Sequence, residues 1–156
     1  MLEEIEIMYR ERYPVFLRVA SAVTGDVELG RDAVQEGFAG AVRSRRTYRG
    51  RGPLEAWVWR AVVNAARDRV RARAEVPFVE AESVSAELEV PGRVRAAIAR
   101  LPERQRLAVF LRYFADLDQR AIGRAIGVRP GTVAATLNAA RESLRRELEE
   151  VESWER

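Results

Sequence analysis

The chain has 156 residues, 47% hydrophobic and 33% charged, enough for one ordinary domain or two small ones. It contains neither cysteine nor histidine. That excludes a disulfide framework, thiolate chemistry, the commonest metal ligand and the usual neutral-pH proton shuttle. No apolar run approaches the roughly 20 residues of a membrane helix, and the acidic N-terminus is unlike a signal peptide. A cytoplasmic protein without membrane insertion is expected.

All 27 basic residues are arginine. A planar guanidinium pairs with phosphate and carboxylate, which suits nucleic-acid contact, although GC-rich coding produces the same bias. The net charge of +3 says little, whereas its distribution is uneven. Residues 1–42 carry a net −4, 43–73 a net +8, 74–91 a net −5 and 92–156 a net +4. A basic block, an acidic connector and a mildly basic second unit predict two modules on a linker.

Apolar residues recur at helical spacing almost throughout. The first predicted helix, Tyr9 to Val23, carries Phe16, Val19, Ala20 and Val23 on one side. Pro14 suits its first turn better than its interior. Thr24-Gly25-Asp26 ends it and caps a second helix from about Val27 to Arg46, whose Val34, Phe38, Ala41 and Val42 face a core. Tyr48 to Pro53 is a loop, punctuated by two glycines and a proline. A third helix runs from Leu54 to about Arg73, with Trp57, Ala61, Val62 and Ala65 inward. Trp57 and Trp59 lie about 200° apart around a helix, so only one can face the core. Trp57 is assigned there and Trp59 is expected to be exposed.

The second unit opens with Val94, Ala97, Ile98 and Leu101, broken by Pro102. Leu107, Phe110, Leu111 and Phe114 form the next stripe. Ala121, Ile122, Ala125 and Ile126 mark a short helix, Gly127 to Gly131 a turn in which Gly127 can take positive φ. Val133, Leu137, Ala140, Leu144 and Leu148 mark a long last helix. Short helix, tight turn and longer helix are the layout of a helix-turn-helix DNA reader. The expected fold is all-α: a three-helix domain over 1–73, an acidic linker over 74–91, a helix-turn-helix domain over 92–148 and a tail over 149–156.

Three constellations stand out. The terminal helix shows Thr132, Asn138, Arg141 and Arg145 off its apolar stripe, with Arg129 just before it. Asparagine can read adenine, and arginine can read guanine or hold phosphate; an ordinary helical hairpin with solvated charges is the alternative. The basic loop and third helix combine Tyr48, Arg49, Arg51, Trp59, Arg60, Asn64, Arg67 and Arg71. Rings among arginines suit single-stranded nucleic acid, where bases stack and arginines track phosphate. Asp32, Gln35 and Glu36 share one polar face opposite Val34 and Phe38. A catalytic or metal dyad of Asp32 and Glu36 lacks a histidine and a third convergent acid, so no enzyme, metal or cofactor is expected.

The ordered set DAVQEGF, LEAWVWRAVVNAARDRVRAR, LPERQRLAVFLRYFADL and IGVRPGTV resembles a bacterial sigma factor of the extracytoplasmic-function (ECF) type over almost the whole chain. The first unit resembles region 2 and the second region 4. The resemblance implies that Asp32, Gln35 and Glu36 dock on core RNA polymerase. It implies that the Tyr48 to Pro53 loop and the third helix, with Asn64, Arg67 and Arg71, hold the melted minus-ten promoter strand. The helix from Gly131 to Arg146 would read the minus-thirty-five element, and the connector would thread toward the polymerase active centre. Factors of this type are often held by an anti-sigma factor wedged between the two units.

Three departures from the family pattern matter. Ala134, Thr136 and Ala139 stand where basic residues are usual, and each lost phosphate contact weakens salt-dependent affinity. Ala121 replaces a usual glutamate. Gly37 replaces a larger apolar residue and is expected to loosen the docking helix by up to about 1 kcal/mol. The expected function is promoter recognition and opening with core polymerase. The alternatives are a sigma-like helix-turn-helix regulator or polymerase adapter that does not itself initiate and, far behind, a carboxylate-metal nuclease.

Overall fold

A computed structural model describes residues 1–73 and 91–154. The acidic connector therefore lies almost entirely outside the described residues. The described part is helical throughout, with seven α-helices and one turn of 3-10 helix. They are α1 (Leu2–Thr24), α2 (Val27–Ser44), the 3-10 turn (Arg45–Thr47), α3 (Leu54–Arg73), α4 (Gly92–Ala99), α5 (Glu103–Tyr113), α6 (Gln119–Ile126) and α7 (Pro130–Trp154).

The first three helices form the expected bundle, packed pairwise. Gly25 ends α1 in the left-handed region, and Asp26 caps α2 by accepting from the Leu29 N–H at 3.0 Å; this is the punctuation read from Thr24-Gly25-Asp26. Two boundaries differ from expectation. α1 starts seven residues before the predicted Tyr9, at Leu2, which puts Pro14 inside the helix. The missing proline N–H is tolerated because the preceding turns bury Ile5 and set the Tyr9 ring 5.0 Å from Phe38, edge to face. At the other boundary, α2 tightens into the 3-10 turn at Arg45 instead of continuing to Arg46.

The core of the bundle is aromatic. Trp59 stacks on Phe16 with ring centroids 3.8 Å apart, and Phe16 meets Phe38 edge-on at 4.8 Å. This corrects the tryptophan assignment: Trp59 has 0% exposure, and Trp57 is the half-buried one. The inward stripe is Trp59, Val62, Val63 and Ala66, at i, i+3, i+4 and i+7. Apolar residues cover most of α3 because it is covered twice, by α1 and α2 on one side and by α6 on the other. An arc that wide leaves the choice of core tryptophan to tertiary packing.

Gly37 also differs from expectation. A Cβ there would stand 2.6 Å from Val62 Cα and 2.8 Å from its nitrogen. The glycine therefore lets α2 and α3 approach backbone to backbone; it tightens the helix pair.

In the second unit α4, α5 and α6 pack against one side of α7, whose Val133, Leu137 and Ala140 are buried as the stripe predicts. Asp118 caps α6 by accepting from the Ala121 N–H at 2.8 Å. Gly127 takes φ 75°, and its N–H bonds back to the Gly123 carbonyl. Pro130 begins α7, where its missing N–H costs nothing. The two units share one continuous core: α3 lies against α6, and α1 touches α5.

Candidate nucleic-acid interface

The loop between α2 and α3 is shaped by its own side chains. The Tyr48 hydroxyl donates to the Gly52 carbonyl, and the Tyr48 ring lies 5.6 Å from Trp57. Arg49 and Arg51 point to solvent. Gly52 sits at φ 85°, and a Cβ there would collide with the Arg124 guanidinium. The backbone conformation therefore favours glycine, and any side chain there would push the Arg124 guanidinium aside. Arg124, from the first helix of the helix-turn-helix, donates to the Arg51 carbonyl and so holds the loop from the other unit.

Along α3, residues 60, 64, 67 and 71 recur at helical spacing on one side. Arg60, Asn64 and Arg71 are exposed and Arg67 is half-buried. Arg71 pairs with Asp68 at 3.2 Å, and Arg67 pairs with Glu103 of α5 at 2.5 Å. Trp59 is not part of this surface, as its burial against Phe16 shows; its indole N–H reaches Glu55 at 3.4 Å. The half-buried ring beside Tyr48 is Trp57, which sequence reasoning placed in the core. Arg12 of α1 bridges the units, donating to Glu55 at 2.8 Å and to the Ala115 carbonyl at 3.3 Å.

Asp32, Gln35 and Glu36 are all exposed on one face of α2. Arg69 of α3 reaches Glu36 at 2.6 Å and Asp32 at 3.7 Å. The two acids are thus fastened to α3 by a single guanidinium, an assignment the helical spacing of α2 could not supply. Such half-exposed pairs add about 1 kcal/mol at most, but they fix which way the face is presented.

On α7, Asn138, Arg141 and Arg145 are exposed, Thr132 is half-buried, and Arg129 is exposed just ahead of the helix. The arginines differ in company. Arg145 is held by Glu142 at 2.7 Å and Glu149 at 2.9 Å, and Arg146 lies 3.7 Å from Glu142. The hydrogen bond and charge of Arg145 hold the Glu142 carboxyl below the usual carboxylate range, and Glu142 with Glu149 raises Arg145. Arg141 instead donates through Nε to the Tyr113 hydroxyl at 2.8 Å and through Nη1 to Asn138 Oδ1 at 3.3 Å. Tyr113 ends α5 and escaped the sequence reading, since it falls beside the apolar stripe of that helix. Its signal was a large ring just off the core-facing positions.

Residues 8–76 match the family described as Sigma-70 region 2, and residues 92–144 match Sigma-70, region 4. The chain is 30% identical over 145 residues to the ECF RNA polymerase sigma factor SigM of Mycobacterium tuberculosis, covering 89% of this chain and 74% of that protein. It is 24% identical over 148 residues to the ECF RNA polymerase sigma factor SigW of Bacillus subtilis, covering 81% and 79%. Among solved structures it resembles the sigma factor RpoE in complex with the anti-sigma factor NepR from Bartonella quintana, with a TM-score of 0.73 and 17% identity over 94% of this chain and 98% of that one. It also resembles CnrH in complex with the cytosolic domain of CnrY, with a TM-score of 0.70 and 18% identity over 93% and 86%.

Proposed function

We propose, from the premise that the chain belongs to the ECF RNA polymerase sigma factors, that its three exposed surfaces divide the work of initiation among them. The protein is a non-enzymatic factor that binds core RNA polymerase and directs promoter recognition; the polymerase supplies the catalysis. The face of α2 with Asp32, Gln35 and Glu36 docks on the polymerase. The Tyr48 to Pro53 loop and α3, through Tyr48, Arg49, Arg51, Arg60, Asn64, Arg67 and Arg71, hold the minus-ten strand, with Trp57 as the ring beside Tyr48. Arg129, Thr132, Asn138 and Arg141 meet the minus-thirty-five element, and Arg145 joins them only by releasing Glu142 and Glu149.

The observation that carries this reading is the order of the pieces. An acidic exposed face, a basic loop and helix with aromatic rings, and a helix-turn-helix follow one another in a single chain. Each surface suits a different partner: a protein, a single strand and a duplex groove. Among the described residues no helix is long and apolar enough to cross a membrane, and a factor that works on RNA polymerase works in the cytoplasm. The domain division at 1–73 and 92–148 follows from the same reading. An anti-sigma partner fits it too, since the sigma factor RpoE of similar fold was captured with the anti-sigma factor NepR.

Binding of the purified chain to core RNA polymerase, beside the Gln35→Ala/Glu36→Ala variant, tests the assignment. Tight binding that weakens at least tenfold in the variant is expected; a tenfold loss corresponds to about 1.4 kcal/mol. Equal binding by both proteins moves the docking face elsewhere.

A further inference from the structure

The recognition helix is poor in cations: Ala134, Thr136 and Ala139 carry no charge, and Arg145 is already matched by Glu142 and Glu149. Of the three arginines in α7, Arg141 is the one whose polar contacts are both uncharged, the Tyr113 hydroxyl and the Asn138 amide oxygen. Its positive charge is therefore oriented without being cancelled. The Tyr113 side chain is contributed by α5, not by the recognition helix, and Tyr113 is 55% exposed. The Arg141 guanidinium carbon stands 5.9 Å from the centre of its ring, close enough for cation–π attraction.

We propose that Tyr113 is a positioning residue for promoter binding, which fixes Arg141 as the phosphate-holding cation of α7. The inference rests on the reading of α7 as the minus-thirty-five surface. A guanidinium carries five N–H donors; two are spent on Tyr113 and Asn138, and the rest remain for an outside acceptor. A hydroxyl that accepts from Arg141 keeps its own proton for donation. Tyr113 and Arg141 together then present two adjacent donors of the kind that phosphate oxygens take. The contact with Asn138 Oδ1 couples the same guanidinium to the side chain best suited to read a base. Holding a long arginine in one geometry before binding removes part of the ordering cost that binding would otherwise incur.

A double-mutant cycle on the complete holoenzyme tests this. Affinity for a duplex promoter fragment is measured across a salt series for Arg141→Ala, Tyr113→Phe and the pair, with thermal unfolding of each chain recorded alongside. Arg141→Ala is expected to lower the salt slope by about 0.9. Tyr113→Phe keeps the ring and is expected to lower affinity about fivefold with an unchanged melting temperature. In the Arg141→Ala background the same change is expected to do nothing more, the mark of a residue that acts through another. An equal loss in both backgrounds, or no loss in either, overturns the positioning role while leaving the DNA surface intact. An unchanged slope in Arg141→Ala overturns the proposal at its root, because α7 then does not meet phosphate through Arg141.

Discussion

The guanidinium of Arg67 on α3 lies 2.5 Å from the carboxylate of Glu103 at the start of α5, so a cation proposed for the minus-ten strand is occupied by an acid from the other unit. Nearby, Arg124 holds the Arg51 carbonyl and packs where Gly52 lacks a side chain. The proposed strand-holding surface is thus partly covered by the second unit, and Glu103 competes with a strand phosphate for Arg67. Glu103→Gln keeps the shape and removes the charge. It is expected to raise the affinity of the full chain for a labelled minus-ten single strand by up to about fivefold, the factor matching the ~1 kcal/mol of an exposed ion pair. Fluorescence anisotropy reads the change; an unchanged or weaker affinity removes Arg67 from the strand site.

Gly37 is a packing requirement. Adding one methyl at Gly37→Ala places it against the Val62 backbone, which cannot swing aside as a side-chain end can. The gain of about 1 kcal/mol in helix propensity is outweighed, and a net loss of roughly 1–3 kcal/mol is expected. Urea unfolding measures it. A more stable variant would mean that α2 and α3 can separate at no cost.

The two tryptophans separate cleanly by substitution. Trp59→Ala removes the ring stacked on Phe16 and is expected to cost about 3–5 kcal/mol. Trp57→Ala touches a half-buried ring beside Tyr48 and is expected to cost roughly 1–2 kcal/mol. Its larger effect should fall on strand binding. Chemical denaturation of both variants decides the matter, and the reverse ranking would restore the assignment made from periodicity.

Glu142 gives a pH signature. Its folded-state pKa is depressed, chiefly by the hydrogen bond from Arg145 and then by that residue's charge. A depressed acid contributes stability above its unfolded pKa and loses it as pH falls through the folded value. The Glu142–Arg145 pair therefore holds at neutral pH and weakens as pH falls through the folded value of Glu142. Carbon-detected titration of the Glu142 carboxyl should show a midpoint below the ordinary glutamate range that returns to it in Arg145→Ala. Coincident midpoints would contradict the pairing.

Much of the fold was legible in the chain because its signals are local. Thr24-Gly25-Asp26, Pro53 and the Gly127 turn mark ends by backbone chemistry, and Val133, Leu137 and Ala140 report their face by spacing alone. What escaped was decided by contacts between distant segments. The period of α3 admits either tryptophan, and Phe16 chooses. Gly37 reads as a weak point until Val62 is found beneath it. The sequence flags Arg67 and Arg145 but cannot show that Glu103 and Glu142 already hold them. Tyr113 looks like an ordinary helix-end ring until Arg141 folds over it. Composition and spacing thus located the candidate surfaces, while the partners that tune them came from tertiary packing.

This chain is expected to turn core RNA polymerase into a promoter-specific enzyme. Run-off transcription with pure core enzyme, the purified chain and fragments carrying the promoters of its own genome tests that most directly. Transcripts of defined length that appear only when the chain is added, and that weaken in Gln35→Ala/Glu36→Ala, are predicted. Core enzyme that binds the chain yet starts at no promoter would contradict the account and leave a polymerase-binding adapter in its place.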